Sequence, residues 1–129
     1  MALLRKKECT IVTAESCTAG LVSAALSEGD GAAEFLHGSF VTYTKANKSR
    51  ALGVSRTVLK QQGAVNATVA RQLARGALKR SPADMALAVT GVLGPAPDMD
   101  GNPVGLVYFC VAMRNGIERV LRKQFRRLP

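Results

Sequence analysis

The chain has no tryptophan, two tyrosines and four phenylalanines in 129 residues. A row of aromatic platforms for single-stranded nucleic acid is therefore hard to assemble. It has one histidine, His37, so a multi-histidine metal site is not expected and no Ser-His-Asp set is obvious. Its three cysteines, Cys9, Cys17 and Cys110, are odd in number and lack a Cys-x-x-Cys pair, which argues against a zinc ribbon or a dithiol redox site. Reduced thiols in a cytosol are the simplest expectation. No apolar run approaches the ~20 residues that cross a bilayer. No long apolar stretch follows the basic residues of Met1–Cys9 either, so the sequence predicts no signal peptide and no membrane partner. A cytoplasmic protein is expected.

What is present suits one globular domain over residues 1–129. Hydrophobic residues make up 47% and charged residues an ordinary 21%, enough apolar material for a core and too little charge for disorder. The formal charge is +9. Arg114, Arg119, Arg122, Lys123, Arg126 and Arg127 crowd the C-terminal end, with only Glu118 among them. That balance raises the question of nucleic acid, but with so few aromatics nucleic acid is not the expected partner. A solvated basic face, or attraction for a phosphorylated small molecule, accounts for the charge as well.

The pattern along the chain alternates between periods of two and 3.6. Ala2–Glu8 reads as a short helix and Cys9–Thr13 as a buried strand. Ala14-Glu15-Ser16-Cys17-Thr18-Ala19-Gly20 breaks into a turn before a helix over Leu21–Ser27. Phe35–Thr44, with Phe40, Val41, Thr42 and Tyr43, reads as a second strand. Thr44, Ser55 and Asn66 can each cap a helix, and Gly53, Gly63 and Ser81-Pro82 end them. Met85–Val92 is nearly all apolar, as in a strand buried on both faces. A loop with fixed bends runs from Thr90 to Pro103, and Gly105–Met113 forms another strand. Asn115-Gly116 signals a two-residue hairpin into Ile117–Phe125. Together these predict an α/β fold with a mixed sheet.

Ser16 is the first candidate for chemistry, because a serine at a strand-to-helix turn sits beside unsatisfied helix N–H groups that could stabilise an oxyanion. Equally, Ser16 or Thr18 could simply cap the helix. A serine needs a base, and Ser-Lys pairs do without histidine. Lys45 and Lys48 share one helical face after the second strand. Either could serve if burial lowered its pKa, and either could be a surface group. Cys17 is a rival nucleophile or a small apolar group facing the core. Glu15 could orient a neighbour or cap backbone donors, and is given no catalytic role.

Four ordered motifs carry a family resemblance. Thr13-Ala14-Glu15-Ser16-Cys17-Thr18-Ala19-Gly20 resembles the opening signature of the CinA C-terminal domain family. Phe40-Val41-Thr42-Tyr43-Thr44 with Lys48, then Leu52-Gly53-Val54, is similar to its second motif, and Gly63-Ala64-Val65 to a third. Ala86–Pro95 with Pro103-Val104-Gly105 resembles the fourth. The resemblance implies a three-layer α/β/α sandwich, frequently a homo-oligomer, that deamidates nicotinamide mononucleotide to nicotinic acid mononucleotide and ammonia. It implies Ser16 as nucleophile and Lys48, rather than Lys45, as its basic partner, with Tyr43 relaying a proton or orienting Lys48. Backbone N–H groups of Cys17, Thr18, Ala19 and Gly20 would hold the oxyanion. Thr90, Gly91 and Gly94 would shape the pocket for a pyridine nucleotide. No metal or organic cofactor is implied.

Departures from the family pattern bear on substrate more than fold. Ala19 replaces a glycine, and if that position needs positive φ the alanine costs roughly 1–2 kcal/mol. Ala96-Pro97-Asp98-Met99 replaces a glycine-rich run, Asn102 a lysine and Leu106 a threonine. Both ends look short for the family, so an uncovered apolar sheet surface is expected, open to another subunit. The alternative is a catalytically impaired relative that binds nucleotide or nucleic acid through its basic surface.

Overall fold

The computed structural model describes residues 8–126. Of the helix expected over Ala2–Glu8, all but Glu8 lies outside that range, as does Arg127 of the basic cluster. The chain runs β1 (Ile11–Glu15), α1 (Leu21–Ser27), α2 (Ala32–Phe35), β2 (Leu36–Val41), α3 (Lys45–Leu52), α4 (Arg56–Gln62), α5 (Ala67–Lys79), β3 (Met85–Gly91), β4 (Leu106–Met113) and β5 (Glu118–Gln124). One five-stranded sheet has the order β2-β1-β3-β4-β5. Strand β1 is parallel to both β2 and β3, whereas β3–β4 and β4–β5 are antiparallel.

This order explains the layers. The chain moves from β1 to β2 in one direction and from β2 back past β1 to β3 in the other. Right-handed crossovers then place the connecting helices on opposite faces. Along β1, Val12 and Ala14 join the core formed with α3, α4 and α5, while Thr13 and Glu15 point the other way, toward β2 and α1. Helix α5 is the main cover of the first face. Its Val69, Ala70, Leu73, Ala74 and Ala77 are fully buried, and a buried leucine such as Leu73 contributes about 2–3 kcal/mol.

The helix starts are capped as expected. The side-chain oxygens of Thr44, Ser55 and Asn66 accept the N–H groups of Asn47, Val58 and Val69. Several other expectations need correction. Strand β1 starts and ends two residues later than read, because Ala14 and Glu15 still pair with β2 on one side and β3 on the other. Strand β2 is shorter than read, Leu36–Val41: Phe35 belongs to the short helix α2, which was not expected, and Thr42, Tyr43 and Thr44 lie beyond the strand end. The hairpin is a three-residue loop, Arg114-Asn115-Gly116, closed by a bond from the Met113 N–H to the Ile117 carbonyl. Strand β3 is not buried on both faces throughout, for Met85 and Leu87 are only half-buried. That face continues into half-buried Phe109 and Val111 and exposed Leu121. Among the described residues, part of the sheet is thus open to solvent. Arg114 is no free surface cation, since its guanidinium donates to the carbonyls of Leu78, Ser81 and Ala83 at the end of α5.

Candidate active site

The carboxyl ends of adjacent parallel strands leave room for a ligand between the loops that follow them. Here β1 ends at Glu15 and delivers Ser16, while β3 ends with Thr90 and Gly91, and all three of Ser16, Thr90 and Gly91 line one cleft of about 600 Å³. That is ample for a small-molecule substrate. Its walls are mostly apolar, with Val65, Val92 and Met99 among them.

Ser16 is nearly buried, and its Oγ lies 2.7 Å from Lys48 Nζ. The sequence of events along α3 makes this contact. Thr44 starts the helix, and a helical side chain slants back toward the N-terminus. Lys48, one turn in, therefore reaches back over residues that precede its own helix. Its Nζ donates to the carbonyls of Thr42 at 2.9 Å and Tyr43 at 3.0 Å. Thr42 is itself pinned beside the serine by a 2.8 Å bond from its N–H to the Glu15 carbonyl.

Lys48 is only 1% exposed. Burial, with a smaller push from the Lys45 charge and an opposing influence of Cys17, brings its pKa down from the ordinary 10.5 to about 8. In the neutral form two N–H bonds can stay on the two carbonyls while the lone pair faces the Ser16 hydroxyl. Lys45, its rival, turns to the cleft mouth and pairs with Asp100. Geometry thus separates two lysines that helical spacing left equivalent.

The turn after Ser16 is organised by Glu15, not by a cap from Ser16 or Thr18. The Glu15 carboxylate, fully buried, accepts the N–H groups of Gly20, Val22 and Ser23 and the hydroxyls of Thr18 and Thr13. Burial alone would raise its pKa. The donors from Thr18, Ser23, Val22 and Thr13 together outweigh burial and hold it below the ordinary value.

This arrangement corrects the expected oxyanion donors. The Gly20 N–H is committed to Glu15 and the Ala19 N–H to the Ser16 carbonyl at 3.0 Å. The N–H groups of Cys17 and Thr18 are instead directed at the Cys17 sulfur beside the cleft, where they oppose the rise that burial gives its pKa. Ala19 does adopt φ 50°, so the strain anticipated for a non-glycine residue is present.

Cys17 lines the cleft instead of facing the core. Burial raises its pKa, which keeps it a thiol and a weak nucleophile at neutral pH. Tyr43 stands on the rim and is 66% exposed. It meets Lys48 through its main-chain carbonyl, so the expected phenolic relay does not describe this contact. Thr90, expected to shape the pocket, lines the cleft, while its hydroxyl donates to the Ala64 carbonyl at 2.8 Å and ties the α4–α5 connection to β3. Gly91 lines the cleft, but its need for glycine comes from behind. A Cβ there would stand 2.7 Å from the Leu106 carbonyl oxygen across the β3–β4 pair. Gly94 also lines the cleft, and a Cβ there would stand 2.9 Å from a Val104 methyl group.

Three contributors escaped the sequence reading. The carbonyls of Thr42 and Tyr43 carry no residue signature, and Asp100 gave no signal because its partner Lys45 is 55 positions away.

Comparison with known proteins agrees with this architecture. The model of the CinA C-terminal domain family matches residues 1–127. A putative competence-damage inducible protein of Caldicellulosiruptor bescii is 42% identical over 118 residues, 92% of this chain and 29% of that protein. A CinA-like protein of Geobacter sulfurreducens is 44% identical over 88% of this chain and 28% of its own length. The chain therefore spans less than a third of these curated relatives. Among solved structures, the competence/damage inducible protein CihA of Agrobacterium tumefaciens superposes with a TM-score of 0.91 at 39% identity, covering 97% of this chain and 76% of that one. The competence-damaged protein (CinA) superfamily protein of Escherichia coli superposes with a TM-score of 0.91 at 34% identity, covering 97% and 72%.

Proposed function

The chain belongs to the CinA C-terminal domain family, and we propose that its cleft is the active site of a serine amidohydrolase that releases ammonia from the carboxamide of a pyridine nucleotide. Nicotinamide mononucleotide is the substrate the family resemblance implies. The observation that carries this reading is the 2.7 Å contact between Ser16 Oγ and a buried amine, Lys48 Nζ, whose other two hydrogens have carbonyl acceptors.

In this reading neutral Lys48 takes the Ser16 hydroxyl proton as Oγ bonds to the carboxamide carbon. Negative charge gathers on the amide oxygen, where the N–H groups of Cys17 and Thr18 can receive it. The C–N bond then breaks, and the Lys48 ammonium returns the proton to the departing ammonia. Water attacks the acyl-Ser16 carbon with Lys48 again accepting a proton, which frees the acid and restores the hydroxyl. Thr42 and Tyr43 hold the amine in place throughout. The apolar cleft wall excludes bulk water and keeps Lys48 near its lowered pKa.

The test is ammonia release from nicotinamide mononucleotide, with intact-mass measurement of acylated Ser16 in quenched mixtures. Turnover by the unaltered chain and its loss in Ser16→Ala are expected. Undiminished turnover in Ser16→Ala would falsify the nucleophile assignment.

A further inference from the structure

The mouth of the same cleft holds a polar pair that the amide chemistry does not use. Lys45 Nζ lies 2.7 Å from Asp100 Oδ1, with both side chains only about a quarter to a third exposed at 34% and 24%. Asp100 is braced from behind. Its Oδ2 accepts the Ala64 N–H at 3.4 Å, and it fills the space above Gly63, where a Cβ would stand 2.9 Å from the carboxylate. Asp98 shapes the turn that presents it, accepting the N–H groups of Asp100 and Asn102 at 3.1 and 2.8 Å and the Asn102 side-chain amide at 2.9 Å.

Among the described residues, the charged groups lining the cleft are Lys45, Lys48, Asp98 and Asp100, with no arginine. Lys48 is sealed behind Ser16. Among the described residues lining the cleft, Lys45 is then the one ammonium that an anionic substrate group could meet, and its charge is already matched. A phosphate dianion arriving there must open the pair or lie beside two carboxylates, and like charges at such range are unfavourable. An uncharged ribosyl group leaves the pair closed.

We propose that Asp100 is a specificity-determining residue: by occupying Lys45 at the cleft mouth, it lowers the advantage of a phosphorylated amide over its dephosphorylated counterpart. The substrate class takes its amide from the function proposed above, but the competition for Lys45 is a matter of charge and does not depend on turnover.

Calorimetry on the full chain carrying Ser16→Ala separates the two, with inorganic phosphate, nicotinamide mononucleotide and nicotinamide riboside as probes at low ionic strength. Asp100→Asn keeps an acceptor for the Ala64 N–H while removing the charge. It should tighten phosphate and mononucleotide binding roughly tenfold and leave the riboside unchanged. Adding Lys45→Met should abolish that gain. Asp100→Ser repeats the measurement if the asparagine variant melts early. Unchanged phosphate affinity in a folded Asp100 variant, or an equal gain for the riboside, overturns the proposal even if the unaltered chain releases ammonia. A phosphate gain that needs Lys45, in a chain that releases no ammonia, upholds it and removes the amidase reading.

Discussion

Glu15 and Lys48 stand on either side of Ser16, both sealed from solvent, and the fold treats their charges in opposite ways. Around Glu15, three main-chain N–H groups and the hydroxyls of Thr18 and Thr13 replace the water it has lost. Its pKa falls below the ordinary value and it stays ionised. Around Lys48 two carbonyls and a hydroxyl serve as acceptors, but burial dominates and the ammonium is held only weakly, near a pKa of about 8. A carboxylate so fully bonded is a structural strut. An amine so easily deprotonated is suited to exchange a proton with its neighbour. What matters for a buried charge is how completely its lost solvation is replaced.

The contrast can be broken most forcefully at the lysine. Lys48→Met should reduce ammonia release by about 10³-fold or more while the chain still folds, since a general base contributes roughly 10²–10⁴ and also orients the nucleophile. Steady-state rates with circular dichroism on the same samples check this, and a folded variant with near-normal rates would break the assignment. Glu15→Gln should do the reverse. It should cost about 2–4 kcal/mol of stability in denaturant melts, because a charged acceptor of several buried donors becomes a partly mismatched amide.

pH sharpens the distinction. With a base near pKa 8, kcat/KM should climb about tenfold between pH 7 and its plateau above pH 9. Stability should move with it. Between about 8 and 10.5 the unfolded chain still holds the Lys48 proton that the fold has released, so Lys48 makes folding more favourable as pH rises through that window. Glu15 acts at the other end, for its contribution is full above its ordinary value of 4.5 and is lost as pH falls through its lower folded pKa. Chemical denaturation across pH should show the alkaline rise vanish in Lys48→Met and the acid loss shrink in Glu15→Gln.

A smaller test concerns the turn between them. Ala19 at φ 50° is strained whatever the neighbouring charges do, so Ala19→Gly should change stability by no more than about 1 kcal/mol, upward if relief of strain exceeds the added chain entropy. The smallest effect is expected at Thr42, whose buried hydroxyl has no partner among the described residues. Thr42→Val keeps the carbonyl that Lys48 uses and should be neutral or stabilising by about 1 kcal/mol. A large loss there would mean that the hydroxyl belongs with the bonded groups after all.

Much of the molecule was legible before any coordinates. The caps at Thr44, Ser55 and Asn66 and the glycine stops are local signals, since each depends on residues within a turn or two of one another. Ser16 and Lys48 were legible as a pair only through the ordered motifs that resemble a family. On spacing alone, Lys45 was as good a partner. Strand limits were less legible because a ladder ends where its neighbours end, and β1 has neighbours from two distant segments.

The chain's own pattern therefore determined an α/β succession, the approximate extents of α1, α3, α4 and α5, and the presence of a serine at the first strand-to-helix turn. Tertiary structure alone decided that Lys48 faces that serine while Lys45 faces Asp100, that Glu15 takes the helix N–H groups, and that Gly91 serves strand packing. The physical reason is range: capping and amphipathic burial act within a few residues, whereas proton sharing and charge matching act across gaps of 32 and 55 positions that only the sheet order closes.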